Sequence, residues 1–254
     1  LMEHGRQRIF SRDFEFNKRG FWALMVTQFQ GAFNDNLYQW VITFYLLAVF
    51  HMRPEGASEY LYLGRFTADT FVPAFATFLF SLPFILFPAV FGALADRFSK
   101  QSIAVATKWW EIAIMAMGGI AFYLGFPPLI WFLLFLMATQ SAMFGPATYG
   151  ILPEILPPAR LSWGNGVIQM GTMIAIIFGT GLAGPLFLLL SERIYLVSIV
   201  LVMLSILGTG SSYFITRPPA ANPQQRIPWF PWGGMCKYFA VVRKDRVLFY
   251  TVVG

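Results

Sequence analysis

Charge is what this sequence has least of. Asp, Glu, Lys and Arg make up 12% of its 254 residues, about half the share of a soluble domain. Cys236 is the one cysteine, which excludes an internal disulfide and any Cys-cluster metal site. The histidines number two, His4 and His51. No Gly-Lys pair occurs, so a Gly-Lys-Ser/Thr loop that cradles phosphates is excluded. Residues 1–20 are charged and contain no apolar h-region. Neither a cofactor nor a metal site is indicated.

What fills the chain is apolar. Hydrophobic residues reach 57% and aromatics 18%, with 28 Phe, and the mean hydropathy is +0.61. The 16 Pro and 22 Gly sit largely inside apolar runs, which membrane helices tolerate because neighbouring helices satisfy the freed backbone groups. A helix needs about 20 apolar residues to cross a bilayer core. Six stretches have that length, near 21–50, 71–95, 103–125, 129–152, 163–190 and 195–215. A seventh apolar run starts at Val247 and reaches Gly254, the last residue, while the first is Leu1 and not Met. The chain is therefore expected to be a piece of a longer protein. The expected organisation is a cytoplasmic tail over 1–20, a six-helix bundle over 21–215, a linker over 216–246 and the start of a seventh helix over 247–254.

Orientation follows from Lys and Arg near the helix ends. With the N-terminus inside, the tail, the second-to-third, fourth-to-fifth and sixth-to-seventh connections hold fifteen of the 18 basic residues. Lys100 and Lys108 are counted among these, and Arg53, Arg65 and Arg193 fall outside. The same distribution accounts for the net charge of +6 without nucleic acid as a partner. In the linker, Arg217 to Pro223 reads as irregular chain. Trp229, Phe230, Trp232, Tyr238 and Phe239 then mix with basic residues, a composition suited to the headgroup layer.

Asp35 is the most informative residue. It falls near the middle of the first span between Asn34 and Asn36, where a carboxylate costs roughly 2.5–3.5 kcal/mol to insert. At about 100° per residue, Gln28, Asp35 and Gln39 share a sector of about 40°. Such a polar stripe is expected to face a water-filled cavity or a partner helix, either as a substrate-contacting site or as a buried hydrogen-bond hub. In the fourth span, Gln140 and Ser141 precede the Gly145-Pro146 pair, which is expected to kink the helix. In the fifth, Asn165, Gln169 and Thr172 share one face and either line a cavity or bond a neighbouring helix. Gly171, Ala175, Gly179 and Ala183 form a small-residue ridge suited to close packing in lipid. Lys108 and Glu111, three apart in the third span, can pair on one face and are read as structural.

Between the second and third spans runs Gly92-Ala93-Leu94-Ala95-Asp96-Arg97-Phe98-Ser99-Lys100. Gly92 is expected to permit close helix approach, Asp96 to accept hydrogen bonds at a helix end, and Arg97 and Lys100 to stay in the headgroup field. The stretch resembles the loop of the major facilitator superfamily, glycine–x–leucine–alanine–aspartate–arginine–x–glycine–basic, with Ser99 in place of the second glycine. Residues 28–36, 140–154 and 160–166 narrow the resemblance to the bacterial lysophospholipid transporter branch, over about residues 20–215. Similar membrane segments also occur fused to acyltransferase and acyl-carrier-protein ligase domains.

The resemblance implies an all-α membrane protein of the bacterial inner membrane. This chain would form the six-helix N-terminal bundle of a twelve-helix fold and the start of a seventh helix. It implies two inverted three-helix repeats, which the sequence itself does not display, and a gating loop made by Gly92, Asp96, Arg97 and Lys100. It also implies an alternating-access transporter moving lysophospholipids for reacylation, with membrane lipids and an acyltransferase, separate or fused, as partners. An efflux transporter of drugs or other small amphiphiles, and the membrane module of a fused acyltransferase/ligase protein, are the alternatives. Within these residues no acyltransferase fits: such enzymes carry Asp five positions after a His, and here those positions hold Ile9 and Gly56.

Overall fold

The computed structural model describes residues 17–52, 67–225 and 227. The interfacial stretch expected after Trp229 and the seventh run lie outside these residues. Among the described residues there are seven α-helices and no strand: α1 Lys18–His51, α2 Ala68–Leu86, α3 Pro88–Arg97, α4 Lys100–Leu124, α5 Pro127–Ile155, α6 Leu161–Leu189 and α7 Tyr195–Ser212.

Local chemistry sets most of these limits. Asn17 caps α1 by accepting from the Gly20 N–H at 3.0 Å. Gly125, at φ 60°, ends α4 in the left-handed region that a residue with a side chain avoids. The expected second span is two helices, because Pro88 has no N–H to donate and its ring crowds Phe87. Phe87 takes φ −110°, ψ 8° and α3 starts afresh from Pro88.

Among the described residues, five helices are long and apolar enough to cross a membrane: α2, α4, α5, α6 with the turn before it, and α7. The longest, α1, has 34 residues but too many polar ones, from Gln28 to Gln39, to join them on composition. It lies in the middle of the bundle, packed on α2, α5, α6 and α7, so much of its polar surface is turned inward. The outer surface is apolar, with Leu188, Ile177 and Leu207 at 75%, 69% and 70% exposure. In water this would be a liability; facing lipid it is stable. The fold is an all-α membrane fold of the major facilitator type.

The α1–α6 contact is the most extensive, and the small-residue ridge makes it. Gly171, Ala175, Gly179 and Ala183 are all buried. A methyl group at Gly179 would come within 2.6 Å of the Phe33 carbonyl oxygen.

The packing also has an exchange symmetry. Replace α1 by α5, α2–α3 by α6, and α4 by α7. The α1–α6 contact then becomes α5 on α2 and α3, and α1–α7 becomes α5–α4. The α4–α7 and α1–α5 contacts map onto themselves, and all of these are present. This is the contact pattern that two three-helix repeats would give.

The core has two apolar regions. One gathers Leu37, Tyr38, Ile42, Met115, Leu134 and Leu201, the other Phe21, Leu24, Ile151, Leu152 and Ile168. The buried polar groups Asn34, Asp35, Lys108, Glu111, Gln140 and Ser205 lie between them in sequence position on every helix that contributes.

Candidate functional site

α1 carries two polar faces at the same depth. The first opens on a cavity of about 290 Å³ between α1, α2, α4, α5 and α6. Helical spacing brings Gln28, Gly31, Ala32 and Asp35 to its wall, opposite Gln140, Ser141 and Phe144 of α5. Asp35 is 4% exposed. One carboxylate oxygen accepts from the Ser141 hydroxyl at 2.5 Å, and the other accepts from the Gln140 amide at 3.5 Å. Gln28 bridges two helices: its amide donates to Thr172 at 3.3 Å and its carbonyl accepts from Thr148 at 3.3 Å. Phe80, Phe84, Phe144 and Tyr149 supply an aromatic wall.

The second face, one residue round the helix, is a closed network centred on Glu111. One of its oxygens accepts from Gln30, Asn34 and Ser205, each at 2.9 Å. The other accepts from Lys108 at 2.6 Å. Lys108 also donates to the Gln30 carbonyl at 2.9 Å and, unlike Glu111, reaches the cavity wall. Burying a carboxylate and an ammonium costs several kcal/mol each, which their pairing and hydrogen bonds offset in part. No group of three or more His, Cys, Asp or Glu that could hold a metal ion occurs among the described residues.

At the end of the bundle, the loop from Gly92 to Lys100 differs from expectation in two places. Lys100 is not an open, exposed cation. It is 5% exposed, because its stem lies across Gly150 and its ammonium pairs with Glu154. Gly92 makes no close approach: a methyl group there would meet nothing within 4 Å, since that side of α3 faces no described helix. Arg97 is exposed, its guanidinium 5.7 Å from the Phe98 ring centroid. Asp96 is exposed as well, and its backbone carbonyl accepts from the Asn222 N–H at 2.8 Å.

No protein-family model matches the chain. It is 30% identical to the lysophospholipid transporter LplT of Photorhabdus laumondii over 166 residues, 65% of this chain and 36% of that protein. It is 27% identical to the protein of that name from Serratia proteamaculans over 237 residues, 91% of this chain and 52% of that one. An uncharacterized MFS-type transporter, YkuC of Bacillus subtilis, is 27% identical over 126 residues, 50% of this chain and 29% of the relative. The chain is a relative of the major facilitator superfamily transporters. It spans about half the length, or less, of the curated relatives it matches.

In this superfamily-type bundle the residues singled out from sequence divide three ways. Asp35, Asn36, Gln28 and Gln140 line the cavity. Asn36 spends its amide on the Ala32 carbonyl at 2.8 Å. Asn34 is buried in the Glu111 network. Gln169 and Asn165 are both exposed and outside the cavity lining, Gln169 accepting from the Tyr149 hydroxyl at 2.9 Å. Gln39 is half-buried away from the cavity: it shares the angular sector of Asp35 but lies about 6 Å further along the axis. Lys108 is no flanking residue of the basic loop. At 1% exposure it is two turns inside α4 and part of the cavity wall. The pairing with Glu111 expected from their i, i+3 spacing is present at 2.6 Å; what the spacing did not give is that Lys108 also reaches the cavity.

Proposed function

We propose that the protein to which this chain belongs is an alternating-access transporter of the bacterial inner membrane that moves lysophospholipids for reacylation. The observation that carries this reading is the mixed lining of one mid-bundle cavity. Asp35, Lys108, Gln140 and Ser141 give it a polar part, and Phe80, Phe84 and Phe144 an aromatic one. A headgroup with an attached acyl chain needs both kinds of surface, and a wholly polar or wholly apolar cargo would leave one unused. The names of the relatives support the same substrate class.

In this reading the N-terminus faces the cytoplasm, where the positive-inside rule puts most of the Lys and Arg. The six-helix bundle rocks against a second one, and the Gly92–Lys100 loop closes the inner side. The chemistry is displacement only; no bond is made or broken.

The test is uptake of a labelled lysophospholipid by proteoliposomes containing the full-length protein. Uptake above protein-free liposomes, competed by unlabelled lysophospholipid, is the expected result. Absence of uptake together with export of cationic dyes would replace this reading by the drug-efflux one.

A further inference from the structure

The ammonium at the cavity wall has a hydrogen bond to spare. Lys108 carries three N–H donors, and among the described residues two find acceptors, Gln30 at 2.9 Å and Glu111 at 2.6 Å. The Phe144 ring, 5.5 Å away at its centroid, favours the charge but takes no directed hydrogen bond. The ammonium also sits against Gly31, where a methyl group would come within 2.7 Å of it. Gly31, Phe144 and Lys108 all line the cavity, so the charge stands at the wall and not behind it.

Glu111 is placed to hold this ammonium, not to meet a ligand. It is fully buried, and one of its oxygens is occupied by three donors. The pair sets the Lys108 ammonium against a carboxylate, while Gln30, bonded to both partners, fixes where the ammonium sits. An oxyanion entering the cavity completes the set of acceptors. Its hydrogen bond is charge-assisted and shielded from water, the strong kind.

We propose that Lys108 is the anion contact of the cavity, donating its third N–H to a phosphate oxygen of the transported amphiphile, with Glu111 and Gln30 as positioning residues. This rests on the transport reading above and adds to it a residue that sets headgroup specificity. A simple fatty acid suits the cavity less well. Its carboxylate could meet Lys108 but would leave Asp35 without a cationic partner, whereas a headgroup bearing both phosphate and ammonium presents a partner to each.

Binding to the full-length protein in nanodiscs, with three probes, tests this. The probes are lysophosphatidylethanolamine, a monoacylglycerol of the same chain length, which lacks phosphate, and glycerophosphoethanolamine, which lacks the chain. The wild type is expected to bind the first at least about tenfold more tightly than the monoacylglycerol, the scale of one hydrogen bond to a charged group, and more tightly than glycerophosphoethanolamine, which forgoes burial of the chain. Lys108→Gln alone risks stranding Glu111, so the double variant Lys108→Gln/Glu111→Gln is used, with its melting temperature as a folding control. It is expected to lose about tenfold in affinity for the lysophospholipid and to bind the monoacylglycerol within about twofold of the wild type.

A double variant that weakens both acylated probes alike, or keeps the phosphate preference, overturns the proposal. Equal wild-type affinity for the two acylated probes overturns the Lys108 role and leaves the transport reading standing. Glycerophosphoethanolamine bound as tightly as the lipid overturns it in favour of a water-soluble phosphate ligand. Binding of neither acylated probe removes the transport reading and this proposal with it.

Discussion

Asn34 and Asp35 are neighbours in sequence that serve opposite sides of one helix. Asn34 turns away from the cavity, donating to Glu111 and to Ser205 at 2.9 Å each. Asp35 turns into it and takes its hydrogen bonds from α5. The 100° between consecutive residues thus separates a group that holds three helices together from a group within reach of cargo.

That separation gives different expectations for the two faces. Asp35→Ala and Asp35→Asn are expected to lower lysophospholipid uptake at least about tenfold, one hydrogen bond to a charged group being worth that much, with normal expression and an unchanged melting temperature. Ser141→Ala is expected to have a smaller effect, because the Gln140 contact persists. Uptake at the wild-type rate in both Asp35 variants would show that its carboxylate only helps α1 pack on α5.

Removing Glu111 should be a stability lesion. Glu111→Ala leaves the Lys108 ammonium without its counter-ion and strands donors from Gln30, Asn34 and Ser205, a class of change that costs about 3–5 kcal/mol. The double variant Glu111→Leu/Lys108→Met removes both charges and is expected to recover most of that loss. Thermal unfolding of the purified full-length protein in detergent reads both. A double variant no more stable than Glu111→Ala would mean that the remaining polar groups, and not the ion pair, dominate the cost.

The ridge on α6 can be tested against its own reverse face. Gly179→Val places a branched side chain where even a methyl group would meet the Phe33 carbonyl at 2.6 Å and the Asn36 Cβ at 3.2 Å. Both helices must part, at about 1–3 kcal/mol. At Gly181, two residues on, a methyl group meets nothing within 4 Å. Gly181→Ala should leave the melting temperature where it is. Equal sensitivity at the two positions would contradict the α1–α6 contact described here.

These cases also show what could be read from the sequence. The ridge and the polar stripe were legible because both are periodic patterns along one helix, and a period fixes which residues share a face. Which helix a face meets is not in the period. Asn34 and Asp35 therefore looked alike, and Gln39 looked equivalent to Asp35. Lys108 was rightly paired with Glu111, but its place in the tally of flanking basic residues does not hold, because counting basic residues near helix ends assumes that each one faces water or headgroups. The polar composition of α1 conceals a spanning helix from hydropathy alone, because inward-facing residues count the same as lipid-facing ones. The exchange symmetry was invisible because packing, and not residue identity, carries it. The span of α2 and α3 was expected as one helix because proline in an apolar run is normally tolerated; the break came at Pro88, where α3 begins.

Lys100 and Glu154 join the start of α4 to the end of α5, and this contact allows a perturbation that leaves both charges in place. Lys100 is nearly enclosed, with 7% of its side chain exposed, and Glu154 keeps 30%. The second Glu154 oxygen is buried without a partner among the described residues, so the carboxylate relies on Lys100. The lysine stem reaches it by crossing Gly150, where an added methyl group would come within 2.7 Å of Cε. Gly150→Ala should therefore push the stem aside and weaken the pair, and Lys100→Met should break it. For a pair partly open to solvent the loss lies between the exposed and buried limits, at about 1–3 kcal/mol. Adding Glu154→Gln to Lys100→Met removes the unpaired charge and is expected to restore part of the stability. If Gly150→Ala melts with the wild type while Lys100→Met does not, the stem has another route to Glu154, and the glycine is dispensable to the contact.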